Sequence, residues 1–119
     1  MVLKRYVPER GDLVWLQFNP QAGHEQAGHR PALVLSPLSY NKRTGLMLCC
    51  PITSRVKGYP FEVNIKTQDG DDGAVLADQV KSLDCEGRSA KLKSKVSPKI
   101  INDVLAKALT LLSPIHKVK

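Results

Sequence analysis

The chain is constrained most by its short apolar runs, which are of strand length and are separated by turn residues. Leu13-Val14-Trp15-Leu16, which is rich in β-formers, Ala32-Leu33-Val34-Leu35 and Leu46–Ile52 are each flanked by Gly, Pro or Asn. Phe61–Lys66 alternates Phe61, Val63 and Ile65 with Glu62, Asn64 and Lys66, the period of a half-exposed strand. Ala74–Ala77, Val80–Leu83 and the alternating stretch from Lys91 to Val96 add three more short strands. One helix is expected, with Ser97 as N-cap and Pro98 as its first residue. Ile101, Val104, Leu105, Ala108, Leu111 and Leu112 then share one face, Pro114 ends the helix, and a loose tail follows. The pattern predicts a mainly β fold: a small, strongly bent antiparallel barrel with a C-terminal α-helix packed on the sheet.

The connections carry expectations too. Asn19–His29 reads as a long loop, and Pro37–Gly45 as a turn. Pro51 cannot donate to a ladder, which predicts that the third strand lies at an edge or ends there. Thr53 is then presented at a strand terminus. Lys91, Lys93 and Lys95 read as a lysine-protected edge in preference to an RNA site.

With 119 residues, the chain suits one domain with one core over 1–119. No apolar stretch approaches a membrane span, and Lys4, Arg5, Glu9 and Arg10 are unlike a signal peptide, so a cytoplasmic protein is expected. Cys49, Cys50 and Cys85 form no metal-ligand spacing and read as plain reduced thiols; the histidines add no zinc pattern, and no cofactor or metal is called for. Eighteen Lys and Arg against eleven Asp and Glu give +7, which suggests a polyanionic partner.

Chemistry concentrates in Gly23-His24-Glu25-Gln26-Ala27-Gly28-His29-Arg30-Pro31. Pro31 disfavours the helical region for Arg30 and holds it extended at a strand entrance. A guanidinium fixed in this way makes a good phosphate ligand, since its fork reaches two oxygens. The alternative reading is a surface loop in which Arg30 pairs with Glu25.

The chain closely resembles the MazF branch of the MazF/PemK toxin family. The resemblance rests on Val7–Trp15, Glu25–Ala32, Val34–Pro37, Tyr40–Lys42, Cys50–Ser54, Lys57–Val63 and Leu76–Ser82, all in the family's order. It implies an SH3-like barrel, a homodimer, and metal-independent, sequence-selective cleavage of single-stranded RNA without the ribosome. It further implies a cognate acidic antitoxin, with DNA association only through that antitoxin. The family's catalytic arginine falls on Arg30 and its catalytic threonine on Thr53. An acidic residue required in some members falls on Glu25. Beyond Ser82 the likeness fades: relatives commonly carry a tryptophan and two arginines after the Leu83-Asp84 position, where this chain has Cys85-Glu86-Gly87-Arg88.

On this reading, attack by the substrate's own 2′-hydroxyl yields a 2′,3′-cyclic phosphate and a 5′-hydroxyl. Arg30 and Thr53 stabilise the phosphorane. Glu25 is the candidate base, and His29, whose ordinary pKa suits proton transfer, is treated mainly as a substrate contact. Gln26, Asn41 and Gln79 are expected to read base edges, Tyr59 or Tyr40 to stack, and Lys57 and Lys81 to meet the backbone. Two other readings stand beside this one. CcdB-like gyrase poisons share the expected fold, but the tail His116-Lys117-Val118-Lys119 lacks their aromatic-Gly-Ile ending. A non-catalytic RNA-binding barrel is the other.

Overall fold

The computed structural model describes residues 5–17, 29–66 and 72–114. Its strands are β1 (Asp12–Gln17), β2 (His29–Val34), β3 (Leu46–Thr53), β4 (Glu62–Ile65), β5 (Gly73–Leu76), β6 (Lys81–Asp84) and β7 (Lys91–Lys95). They form one antiparallel sheet in the order β4-β5-β3-β2-β1-β7, with β6 also paired to β3. Helices α1 (Leu38–Thr44) and α2 (Pro98–Leu112) complete the described chain. Asn64 and Ile65 of β4 and Ser94 and Lys95 of β7 line one cavity of about 680 Å³ with Ile100 of α2. The sheet therefore curls until its two edges face each other beside the helix.

The central strands are continuously apolar because both of their faces are buried. Leu13, Leu33, Leu35, Cys50, Val63, Ile65, Val75 and Val104 build one core cluster, against which Ile100, Ile101 and Leu105 of α2 pack. Val14, Leu16, Ala32, Val34, Met47, Cys49 and Cys85 build the other. Adjacent Cys49 and Cys50 thus enter opposite layers, as strand alternation requires.

Ser97 caps α2 with its hydroxyl toward the Ile100 N–H, and Pro98 opens the helix. Val104 and Ala108 are buried, but Leu111 and Leu112 are exposed, against the expectation for that face. The core cluster takes no residue beyond Leu105 and Ala108 is the last buried position, so the final turn projects past the packed stripe.

Two expectations are corrected. The Pro37–Gly45 turn is a short helix, capped by Gly45 in the left-handed region (φ 76°) with its N–H on the Asn41 carbonyl. Its single buried side chain is polar Asn41, so no apolar period announced it. The third strand is also central, not at an edge, although it ends at Thr53, two residues past Pro51. Leu46–Cys49 pairs with β6, and Ile52–Thr53 with β5. Pro51 falls in the gap between these two partners. Leu35 N–H donates to Leu48 O, so alternation turns the backbone of residue 51 away from β2 and toward that gap, where no donor is needed.

Candidate RNA-cleavage groove

Arg30 lies on β2 opposite Leu16 of β1, and Thr53 is the last residue of β3. The β2–β3 ladder stops at Ala32↔Pro51. By the same alternation, the next residue of β2 to address β3 would be Pro31, which has no N–H to give. Beyond this point the strands bound a hollow of about 870 Å³ lined by Trp15, Arg30, Thr53, Arg55, Gln79, Lys81 and Lys93, among others. A second hollow of about 220 Å³ holds Lys57, Tyr59, Glu62 and Asp78 and shares Thr53, Arg55, Leu76 and Gln79 with the first. The two form one continuous groove with Thr53 at the junction.

Local bonding prepares the groove. The Thr53 hydroxyl accepts the Arg55 N–H at 3.0 Å, which leaves its proton to be donated outward. Glu62 accepts the Lys57 N–H at 3.1 Å and the Gly58 N–H at 2.8 Å, tying down the loop that carries Tyr59. Gly58 adopts φ 83°, a conformation that favours glycine. Gly73 opens β5 so close to Thr53 that a β-carbon there would stand 2.6 Å from the Thr53 carbonyl oxygen. The larger hollow is rich in basic groups, with Arg30, Arg55, Lys81 and Lys93 against Asp72, while in the smaller one Arg55 and Lys57 are balanced by Glu62 and Asp78.

Of the residues singled out from sequence, Arg30, Thr53, Lys57, Tyr59, Gln79 and Lys81 come together along this groove. Glu25 and Gln26 lie outside the described residues, and only the backbone of His29 is described, at the start of β2. Asn41 requires correction as a base reader. It is 2% exposed; its amide donates to Pro8 O at 2.8 Å and Ser36 O at 3.1 Å and accepts the Ser36 hydroxyl at 2.6 Å. It ties α1 to the N-terminal segment and is sealed from solvent. Tyr40 is exposed on α1 and lines neither hollow.

Trp15, Arg55 and Lys93 also line the groove, where the sequence pattern alone does not place them. The edge reading holds for β7 as a strand, since it terminates the sheet. Lys95 bonds buried Asp12 at 2.5 Å, and this bond raises the Lys95 pKa. Lys93, however, turns onto the groove wall with its ammonium 5.1 Å from the centre of the Trp15 ring. Alternation along β7 assigns these lysines one face, and a shift in the β1–β7 register breaks that alternation.

The curled sheet and this basic groove, with a guanidinium and a hydroxyl on its walls, define a small barrel suited to holding a phosphate chain. The comparisons identify the lineage. A family model described as PemK-like, MazF-like toxin of type II toxin–antitoxin system matches residues 9–112. The endoribonuclease toxin MazF of Escherichia coli strain K12 is 50% identical over 111 residues, covering 93% of this chain and 99% of that protein. Endoribonuclease PemK of Escherichia coli is 33% identical, covering 95% and 88%. The crystal structure of MazF (Form-I) from Deinococcus radiodurans superposes with a TM-score of 0.80 at 54% identity, covering 91% of this chain and 98% of that one. The chain belongs to the PemK-like, MazF-like toxin family of type II toxin–antitoxin systems.

Proposed function

We propose that this chain is the endoribonuclease toxin of a type II toxin–antitoxin pair, cutting single-stranded RNA in the groove between β2 and β3. The observation that carries the reading is the placement of Arg30 and Thr53 on one groove, in a chain 50% identical to an endoribonuclease along nearly its whole length. The kinship disfavours both the gyrase-poison and the non-catalytic alternatives.

The chemistry follows from the groups present. RNA carries its own nucleophile, the 2′-hydroxyl adjacent to the scissile phosphate. An enzyme that holds the nucleotide in line and stabilises the phosphorane needs no activated water. Arg30 offers a fork to two phosphoryl oxygens, and the Thr53 hydroxyl donates to one of them. The 2′-oxygen bonds to phosphorus as the 5′-oxygen leaves, giving a 2′,3′-cyclic phosphate and a 5′-hydroxyl. Glu25 accepts the 2′-proton in this proposal, with His29 as the alternative. Gln26 and Gln79 read bases, Tyr59 stacks, and Lys57 and Lys81 meet phosphates.

A cognate acidic antitoxin belongs to the same proposal, supported by the structure of a MazE–MazF complex from Deinococcus radiodurans that superposes with a TM-score of 0.80 at 47% identity. So do a homodimer and DNA association through the antitoxin alone. No helix among the described residues is long and apolar enough to cross a membrane.

The test is direct. Purified protein is incubated with a long single-stranded RNA in excess EDTA, and the ends are sequenced and chemically typed. Cleavage giving cyclic phosphate and 5′-hydroxyl ends is expected, and a substrate with deoxyribose at the cut position should bind yet stay whole. Loss of activity with chelator, or cleavage of the deoxy substrate, overturns the mechanism.

A further inference from the structure

The β1–β7 pairing changes register between Leu13 and Val14. Leu13 lies opposite Ser94, whereas Val14 lies opposite Leu92. Lys93 is therefore the extra residue of a β-bulge. Without the bulge, Lys93 would face Val14 and alternate away from Trp15. With it, the side chain is carried over the Trp15 ring, 5.1 Å from ring centre to ammonium. Bulges redirect side chains in this way, and they are concentrated at sheet edges and beside active sites.

Both partners line the hollow that contains Arg30 and Thr53. Trp15 is half-buried, with one strand neighbour being Pro31, which terminates the β2–β3 ladder beside Arg30. The adjoining hollow has the same pairing, with Lys57 placed 5.8 Å from the centre of the Tyr59 ring. Thr53 lines both hollows, so each of the spaces it joins has one lysine resting on one aromatic ring.

We propose that Trp15 and Lys93 form a nucleotide subsite of the RNA groove, in which the indole stacks on a base and the Lys93 ammonium takes the neighbouring phosphate. The inference rests on the endoribonuclease reading and extends it to the wall built by β1 and β7. A cation over a half-buried ring gains only a modest attraction, whereas a phosphate oxygen offers it a charge-assisted hydrogen bond. The long, flexible lysine stem permits the change of partner. When RNA enters, the ammonium leaves the ring for the phosphate, and the ring face it covered becomes available for stacking. A lysine serving only to protect an edge would need no place on the groove wall beside Arg30 and Thr53.

Trp15 is the sole tryptophan of the chain, so its emission reports on this subsite alone. An uncleavable single-stranded RNA, with deoxyribose at the cut position, is titrated into wild-type protein while Trp15 emission and a label on the RNA are followed together. The indole signal should change saturably, with the same midpoint as the label. Lys93→Met should raise KM about 5- to 10-fold, with kcat within about twofold, as expected for a lost ground-state contact. It should also flatten the dependence of log affinity on log salt by about 0.7, the value for one phosphate on a single strand. Lys99→Met removes the same charge from α2, where Lys99 bonds Asp103 at 3.0 Å, and should change neither quantity.

Trp15→Phe keeps a smaller ring and should raise KM less than Trp15→Leu, with melting temperatures verifying both folds. If wild type cleaves RNA but Lys93→Met has unchanged KM and salt slope, the subsite is wrong and the endoribonuclease reading survives. An unmoved Trp15 emission while the label reports binding has the same consequence. Failure of the wild type to cut RNA would overturn both.

Discussion

Arg30 and Thr53 each lie two residues beyond the last ladder pair of their strands. That pair is Ala32↔Pro51, and continuing it by two residues takes 32 to 30 and 51 to 53. Backbone pairing ends where Pro31 has no N–H to contribute, and Pro51 faces the interval between β6 and β5. Two prolines thus open a sheet from within, leaving its diverging strand ends to carry a cation and a hydroxyl on the two sides of a hollow. Groups anchored on strands hold their geometry better than groups on loops.

Arg30→Ala and Thr53→Ala should each lower kcat by about 10²-fold or more while melting temperature and oligomeric state survive. Thr53→Ser retains the donor and should keep much of the activity. Near-normal turnover by Arg30→Ala in single-turnover assays would show that the site lies elsewhere.

Gly73→Ala should impair catalysis although Gly73 itself offers no reacting group. The added carbon would lie 2.6 Å from the Thr53 carbonyl oxygen, and a backbone atom cannot rotate aside as a side-chain tip can. β5 or the end of β3 must shift, displacing the hydroxyl. We expect kcat to fall about tenfold or more with KM less affected, as expected when a transition-state contact is mispositioned. Unchanged kcat in a folded Gly73→Ala protein would mean that the strand end yields without moving Thr53.

The fold was legible because its central strands are apolar on both faces and its terminal helix carries a cap, a proline and a stripe. What escaped reading had weak local signals. α1 buries a single side chain, and that one is polar; its signals were Lys42 and Arg43 in the last turn and Gly45 as cap. Pro51 pointed to an edge because a missing donor is usually tolerated there, and a strand that changes partners midway is a tertiary fact. In the groove, Arg30 and Thr53 were found through their neighbours and their family context. Trp15 read only as one member of an apolar strand, and Lys93 read as edge protection because a bulge has no signature in alternation. Asn41 erred in the opposite direction: amides suit base edges, but sequence does not reveal that this one is saturated within the protein.

Asn41→Ala makes that distinction measurable. Removing the amide leaves the Pro8 and Ser36 carbonyls without their buried donor, which costs about 1–3 kcal/mol for each unsatisfied group. Denaturant unfolding should show a loss of about that size. RNA affinity and cleavage site choice of the folded fraction should be unchanged, and a shift in base preference would restore Asn41 to the recognition surface.

Burial pushes the Cys49 and Cys50 thiols up to about 12, from 9.0. Unfolded thiols release protons above about pH 9, while the folded ones keep theirs, so the native state binds more protons across that interval. Stability is therefore fully present below about pH 9 and is lost progressively as pH rises toward 12. Urea midpoints should fall over this range, and Cys49→Ala should make the fall shallower even if its overall stability is lower. Alkylation of the native protein at pH 8 should be slow and should accelerate with urea. Rapid labelling of both cysteines without denaturant would contradict this burial.

Neutralisation by an antitoxin should be competitive with RNA. RNA and an acidic antitoxin segment are both flexible polyanions, and the groove formed by Arg30, Arg55, Lys57 and Lys81 is a surface that either would seek. A disordered acidic segment that folds on binding covers such a surface broadly, at a cost in ordering. If the two share it, linkage requires that RNA weaken the segment's binding by the factor by which the segment weakens RNA binding. Both affinities should fall with salt, and RNA more steeply, because it also releases condensed counterions. The measurement titrates a labelled acidic peptide from the cognate antitoxin into the Arg30→Ala protein, with and without uncleaved RNA, at two salt concentrations. Mutual displacement with equal factors is expected. Simultaneous binding without mutual weakening would place inhibition on a remote surface, and antitoxin contact with the groove would have to be abandoned.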